Sequence, residues 1–302
     1  LIFQRTIKTP VTVTGVGLHS GCRVKLTLRP AKSDQGIIFV RTDLPDAPKL
    51  KCHPFLVNDT RLSSTLVDDN GVRVATVEHL MSAFACMGID NIIVELSAPE
   101  IPIMDGSSNS FLYLLDQAEV IEQTAHKKYI KILQEVKVTE GDVWVSLKPY
   151  NGYKVKVAIK YDHPLFKEDQ STFEVDFAKQ SYVSEISRAR TFAFMYDIEN
   201  IRRNGLGLGG NLNNAIVINE EDDTVLNEGG LRFSDEFVRH KILDAIGDLH
   251  IAGHPIIGAF EGFKSGHAIN NKLLRKLFNN PESWEFVTFE NEDQVPPSFH
   301  AA

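Results

Sequence analysis

The stretch FVRHKILDAIGDLH sets His240, Asp244 and Asp248 four residues apart. On an α-helix such residues stand one above another, about 6 Å along the axis, so an imidazole and two carboxylates share one stripe. That spacing suits a metal site. Val238, Ile242, Ala245, Ile246 and Leu249 gather on the opposite side, so the helix is amphipathic with a polar face of short side chains. His and Asp hold their ligand atoms near the backbone, where a metal or a reacting group can be fixed. The same spacing also suits an ordinary exposed helix face, and this helix alone does not choose between the two.

A second segment bears on the choice. From Val77 to Met87 the chain is apolar nearly all round except for Glu78, His79 and Ser82, which predicts a buried helix over residues 76–87. Buried charge is costly unless paired or metal-bound. The plain alternative is a Glu favoured by the helix N-terminus beside a core histidine bonded to a carbonyl. Two histidines and one aspartate, with water in a fourth position, would match a catalytic zinc site.

The elements that must position these residues form a mixed pattern. RVKLTLRP and GIIFVRTD alternate as half-buried strands, LSSTLVDDNGVRVATV reads as a hairpin around Asp69-Asn70-Gly71, and NIIVEL as a short buried strand. Gly88 is a suitable stop for the helix before it, and SSNSFLYLLDQA reads as a second helix opened by capping serines. The polar run from Gln117 to Lys128 reads as a linker. Beyond it, strands are expected at 129–138, 143–149 and 153–160, then helical SYVSEISRARTF, a helix over 234–253, strand PIIGAFEG and helix HAINNKLLRKLF. The second half resembles a diverged copy of the first. Val77-Glu78-His79 and Val238-Arg239-His240 each open a long helix that leads to a short apolar strand and another helix. Two such helices meeting at an interface would bring His79 and His240 together. The expectation is an α+β chain of two units, 1–120 and 129–302, joined across about 117–128.

Composition agrees with an enzyme and disfavours other classes. The net charge of −8 over 302 residues, without a basic run, argues against nucleic acid as a partner. No run of eighteen apolar residues offers a membrane anchor, and LIFQRTIKTP lacks the apolar core of a signal peptide, so a cytoplasmic protein is expected, with a monomer as the default. Cys22, Cys52 and Cys86 form no C-x-x-C pair, so neither a disulfide framework nor a thiolate metal site is indicated. LGLGG at 206–210 lacks the surroundings of a phosphate loop and reads as a tight or mobile turn; the absence of H-E-x-x-H argues against a zincin-type protease.

TGVGLHSG, TVEHLMSAFACMGIDN, EIPIMDGSS, SRARTFAFMYDIE, FVRHKILDAIGDL and KSGHAINNKLL together resemble the zinc-dependent UDP-3-O-acyl-N-acetylglucosamine deacetylases of Gram-negative bacteria, which perform the committed step of lipid A biosynthesis. The resemblance runs to about residue 290. It implies two similar domains, each a sheet packed on helices as half of a two-layer sandwich, each with a small inserted subdomain, and an active site between them. It also implies removal of the N-acetyl group from UDP-3-O-acyl-N-acetylglucosamine, giving acetate, with Zn2+ as cofactor; Fe2+ would suit the same N/O donors.

Carried over residue by residue, the metal ligands fall on His79, His240 and Asp244, and the general base on Glu78. His267 matches the acid that protonates the departing amine, Asp248 the carboxylate that orients it, and Thr191 a hydroxyl donor to the oxyanion. Lys241 and Lys264 match residues near the diphosphate and sugar, Phe192 one that packs on the sugar, and Leu18, Met195, Ile198 and Val217 an apolar passage for the acyl chain. His19 and Asp105 take supporting roles, while Ser63 stands where many relatives carry a cysteine. The competing reading is a metal-free nucleotide-sugar binding protein on the same fold, which would leave His79, His240 and Asp244 without a purpose.

Overall fold

The computed structural model describes residues 1–219, 221, 222 and 224–299, so the expected end of the second unit at 302 lies outside the described residues. Among these residues the chain forms six α-helices: α1 (Glu78–Met87), α2 (Asn109–Ala118), α3 (Tyr182–Glu185), α4 (Met195–Arg203), α5 (Glu236–His250) and α6 (His267–Phe278). Several β-sheets accompany them, so the chain is α+β. In the first half, strands Val11–Val16, Arg23–Pro30, Ile92–Leu96, Ile37–Arg41 and Lys49–Lys51 make a five-stranded sheet in that spatial order. In the second, Ile256–Phe263 is the hub of a seven-stranded sheet. It pairs antiparallel with Val143–Lys148, parallel with Tyr153–Ala158 and, at its start, parallel with Tyr129–Ile132.

Smaller sheets interrupt each half ahead of a site helix. Val57–Asp59, Thr65–Val67 and Arg73–Val74 form a three-stranded sheet just before α1. Phe192–Phe194 and Ile216–Ile218 pair in parallel, with α4 between them in sequence, and precede α5. The helices α1 and α5 pack directly on each other, and Leu80 and Phe84 of α1 join Leu243 and Ile246 of α5 in one continuous apolar core. Helix α1 ends as expected, because Gly88 adopts the left-handed conformation (φ 64°) that only glycine takes at no steric cost.

Local expectations fail where tertiary contacts claim the backbone. Of SYVSEISRARTF only Tyr182–Glu185 is α-helical. Further on, the Ala189 carbonyl accepts from His240 and the Arg190 amide donates to Glu236, so neither group is free for helix bonds. The run 129–138 divides into strands Tyr129–Ile132 and Val136–Glu140, because the Leu133 and Gln134 amides both donate to the Ser283 carbonyl. The polar run 117–128 contains the end of α2 and strand Val120–His126, which pairs antiparallel with Phe3–Ile7. It closes on a buried ion pair, Lys127 with Asp90. Ser108 makes no side-chain cap at α2; the Ser107 hydroxyl accepts the Asn109 amide instead.

Candidate active site

Glu78 is the first residue of α1, and His79 follows it, both buried by the packing of α1 against α5. The approach is close enough to require Gly247, since a Cβ there would stand 1.9 Å from the Glu78 carbonyl oxygen. That glycine lies between Asp244 and Asp248 on α5, so the same contact that brings the helices together aligns their polar residues. The stripe on α5 is therefore an interior face rather than a solvated one: His240, Asp244 and Asp248 are all buried.

Asp244 Oδ1 lies 3.3 Å from His79 Nε2 and 3.2 Å from His240 Nε2, and the two imidazoles meet edge to face with centroids 4.9 Å apart. The ligand atoms of these three residues fall within 4.8 Å of one another, so the group could hold a metal ion. Donors bound tetrahedrally at about 2 Å stand about 3.3 Å apart, which is this spacing. His240 Nδ1 lies 2.9 Å from the Ala189 carbonyl, which can only accept, so Nδ1 carries the proton and Nε2 presents a lone pair to the centre. Asp244 Oδ1 is buried without a hydrogen-bond partner among the described residues, as a ligand oxygen would be. Burial pushes His79 down, favouring the neutral imidazole that binds metal.

Beside this trio stands a second group. His267 opens α6, with Nδ1 2.9 Å from Asp248 Oδ2 and Nε2 3.7 Å from Glu78 Oε1. Burial works against a charged His267, yet Asp248 and Glu78 overcome it and raise its pKa to about 10. Glu78 is raised to about 8, mainly by burial, with His267 opposing and Asp248 and Asp244 adding to the rise. Asp248 accepts two further bonds: Ser64 Oγ donates to Oδ1 at 2.6 Å, and Asn270 Nδ2 to Oδ2 at 2.9 Å.

A cavity of about 860 Å³ opens onto these residues, and its wall includes every expected substrate-binding residue: Leu18, Phe192, Met195, Ile198, Val217, Lys241 and Lys264. Thr191 and His19 line it as well. The Lys241 ammonium lies 3.9 Å from Asp244 Oδ2 and 5.8 Å from the centre of the Phe192 ring. Lys264 forms an ion pair with Asp142 at the surface. The LGLGG turn packs on this wall, its Leu208 and Gly209 amides donating to the His19 and Leu18 carbonyls. A Cβ on Gly209 would stand 2.2 Å from the Gly17 oxygen, so this glycine serves backbone packing. Asp105 accepts from Arg232 at 2.8 Å and is not part of the cavity wall.

Sequence reading missed several supporting residues. Arg190 and Glu236 form a buried ion pair through two side-chain bonds, Nε to Oε1 at 2.8 Å and Nη2 to Oε2 at 3.1 Å. Arg190 lies between Ala189, which holds His240, and Thr191. Ser64 and Asn270 carry no pattern that marks them, whereas Gly247 does: a glycine inside a helix is unfavourable unless another backbone comes close.

The family profile described as LpxC, UDP-3-O-acyl N-acetylglycosamine deacetylase, matches residues 4–279. Proteins named UDP-3-O-acyl-N-acetylglucosamine deacetylase are similar over nearly the whole chain. The one from Chromobacterium violaceum is 60% identical over 300 residues, 99% of this chain and 98% of its own length. That of Neisseria gonorrhoeae is 57% identical over 301 residues, covering 99% and 97%. A Haemophilus influenzae relative is 54% identical over 301 residues, covering 100% and 98%. With likeness of this extent over a buried two-histidine, one-aspartate centre, the chain belongs to the UDP-3-O-acyl N-acetylglycosamine deacetylase family.

Proposed function

We propose that this protein is a zinc-dependent hydrolase that removes the N-acetyl group from UDP-3-O-acyl-N-acetylglucosamine, giving the free amine and acetate, in the committed step of lipid A biosynthesis. The observation that carries the reading is the convergence of His79 and His240 Nε2 on Asp244 Oδ1, an oxygen without a hydrogen-bond partner among the described residues, at the wall of a cavity lined largely by apolar side chains. A metal-free nucleotide-sugar binding protein would have no use for that oxygen. Two similar units, each half of a two-layer sandwich, with the site between them suit the pairing of α1 with α5 and the insert that precedes each.

His79, His240 and Asp244 would hold a divalent ion, which when bound would supply Lewis acidity toward the acetyl carbonyl and water. Every other task falls to side chains. Glu78 Oε1 takes the proton of the attacking water, and the facing His267 imidazole favours its carboxylate form against the effect of burial. His267, kept protonated through Asp248, gives a proton from Nε2 to the departing nitrogen and offsets the negative charge of the tetrahedral intermediate. Thr191 donates to the oxyanion from the cavity wall. Lys241 and Lys264 attract the diphosphate, and Phe192 packs on the sugar.

Leu18, Met195, Ile198 and Val217 receive the acyl chain, where burial of each methylene contributes about 0.8 kcal/mol and distinguishes acylated from free sugar. Each residue given a role in this reading lies on one chain, which suits a monomer. Among the described residues no helix is long and apolar enough to cross a membrane, and a nucleotide-linked substrate supports a cytoplasmic reading. The test is acetate release before and after chelation. Turnover that vanishes with the metal and returns with zinc or iron(II) supports the reading; undiminished turnover after complete metal removal defeats it.

A further inference from the structure

Ser64 makes an unusual set of contacts for a residue on a short loop. It lies between strands Val57–Asp59 and Thr65–Val67 and is 1% exposed. Its backbone amide donates to Glu78 Oε2 at 3.0 Å, its hydroxyl donates to Asp248 Oδ1 at 2.6 Å, and its carbonyl accepts the Val77 amide at 3.2 Å. One residue thus touches a carboxylate at the start of α1 and another three turns along α5. The neighbouring Thr60 and Leu62 line the cavity, so Ser64 ties the cavity wall to both helices.

We infer that Ser64 is a positioning residue for the deacetylation, setting through Asp248 the direction in which His267 presents Nε2 while its amide fixes the free oxygen of Glu78. The inference rests on the proposed roles of Glu78, Asp248 and His267. Its physical ground is the number of donors on Asp248. Oδ2 is taken by His267 Nδ1 and Asn270, and only the Ser64 hydroxyl bonds Oδ1 among the described residues. Without that hydroxyl a buried carboxylate oxygen loses its partner, and the carboxylate can turn to offer Oδ1 to the imidazole or to Asn270. His267 then swings with it, away from its 3.7 Å approach to Glu78. The amide contact to Glu78 is made by the backbone and survives any side-chain change, so hydroxyl removal tests the Asp248 arm by itself.

The experiment compares Ser64→Ala, Ser64→Thr and Asp248→Asn, and the double variant Ser64→Ala with Asp248→Asn, in the zinc-loaded full chain. Misaligning an acid by a fraction of an ångström lowers turnover steeply, so Ser64→Ala is expected to lower kcat roughly ten- to hundredfold with KM little changed. Ser64→Thr, which keeps the hydroxyl, should recover most of the rate. In the Asp248→Asn background the Ser64→Ala change should add little, because residues acting through one contact are not additive. Metal content, and binding of the substrate to the metal-free protein, should match those of the unchanged chain. Full kcat in Ser64→Ala, or additive losses in the double variant, would overturn the inference while leaving the deacetylase reading intact. A silent Asp248→Asn would instead remove the role of Asp248 on which the inference rests.

Discussion

Gly247 on α5 and Glu78 on α1 are in backbone contact: a Cβ built on Gly247 would stand 1.9 Å from the Glu78 carbonyl oxygen. No rotamer relieves that overlap, so the helices must separate if the residue is larger. Gly247→Ala is expected to destabilise the protein by about 1–3 kcal/mol or more and to weaken metal retention, because His79 rides on α1 and Asp244 on α5. Denaturant melts and metal analysis after dialysis check this. Unchanged stability and metal content would show that the contact does not set the helix spacing.

The raised pKa values of Glu78 and His267 predict how the metal-free protein responds to pH. Glu78 rises from 4.5 to about 8, so the folded state holds a proton that the unfolded chain releases, and stability falls as pH climbs through that interval. His267 rises from 6.5 to about 10 and acts in the same sense over its own range. Metal-free protein should thus lose stability from about pH 5 upward. In Glu78→Gln, which cannot ionise, the decline below pH 8 should be shallower. Equal slopes in the two proteins, from denaturant melts at a series of pH values, would argue that Glu78 is not raised.

The Arg190 and Glu236 pair predicts a remote effect on the metal. Glu236 is fully buried and also accepts the Arg232 amide at 2.6 Å. Breaking a buried pair leaves an uncompensated charge, so Glu236→Gln should cost about 3–5 kcal/mol of stability. Displacing the Ala189 carbonyl from His240 should also lower metal affinity by about ten- to hundredfold, the usual effect of losing a ligand's hydrogen-bond partner. Competition with a chromogenic chelator measures the second effect separately from the first.

Val217 offers a test of the acyl passage. It is buried on strand Ile216–Ile218 and faces the cavity. Val217→Phe should shift preference toward shorter acyl chains, with about fourfold lost in kcat/KM for each methylene that no longer fits. The ratio of kcat/KM between long- and short-chain substrates is the readout, and an unchanged ratio would remove Val217 from the passage wall.

Much of the site is legible in the order of residues, and the reason is local. Positions four apart on a helix share a face whatever surrounds them, so His240, Asp244 and Asp248 formed one stripe from spacing alone. An apolar helix carrying Glu78 and His79 had to be buried, and Gly88 had to end it. Long-range choices had no such signature. Which carboxylate faces the histidines and which faces His267 depends on where α1 and α6 each meet α5.

Tertiary hydrogen bonds likewise decided what propensity could not. Arg188 to Arg190 leave the helix because His240 and Glu236 take the backbone groups of Ala189 and Arg190, and a polar run that resembled a linker became a strand because Phe3–Ile7 offered it an edge. Periodicity along one element is written in the order of its residues. The partners each element meets are set only when the whole chain packs, and Ser64, Asn270 and Arg190 acquired their places at the site in that step.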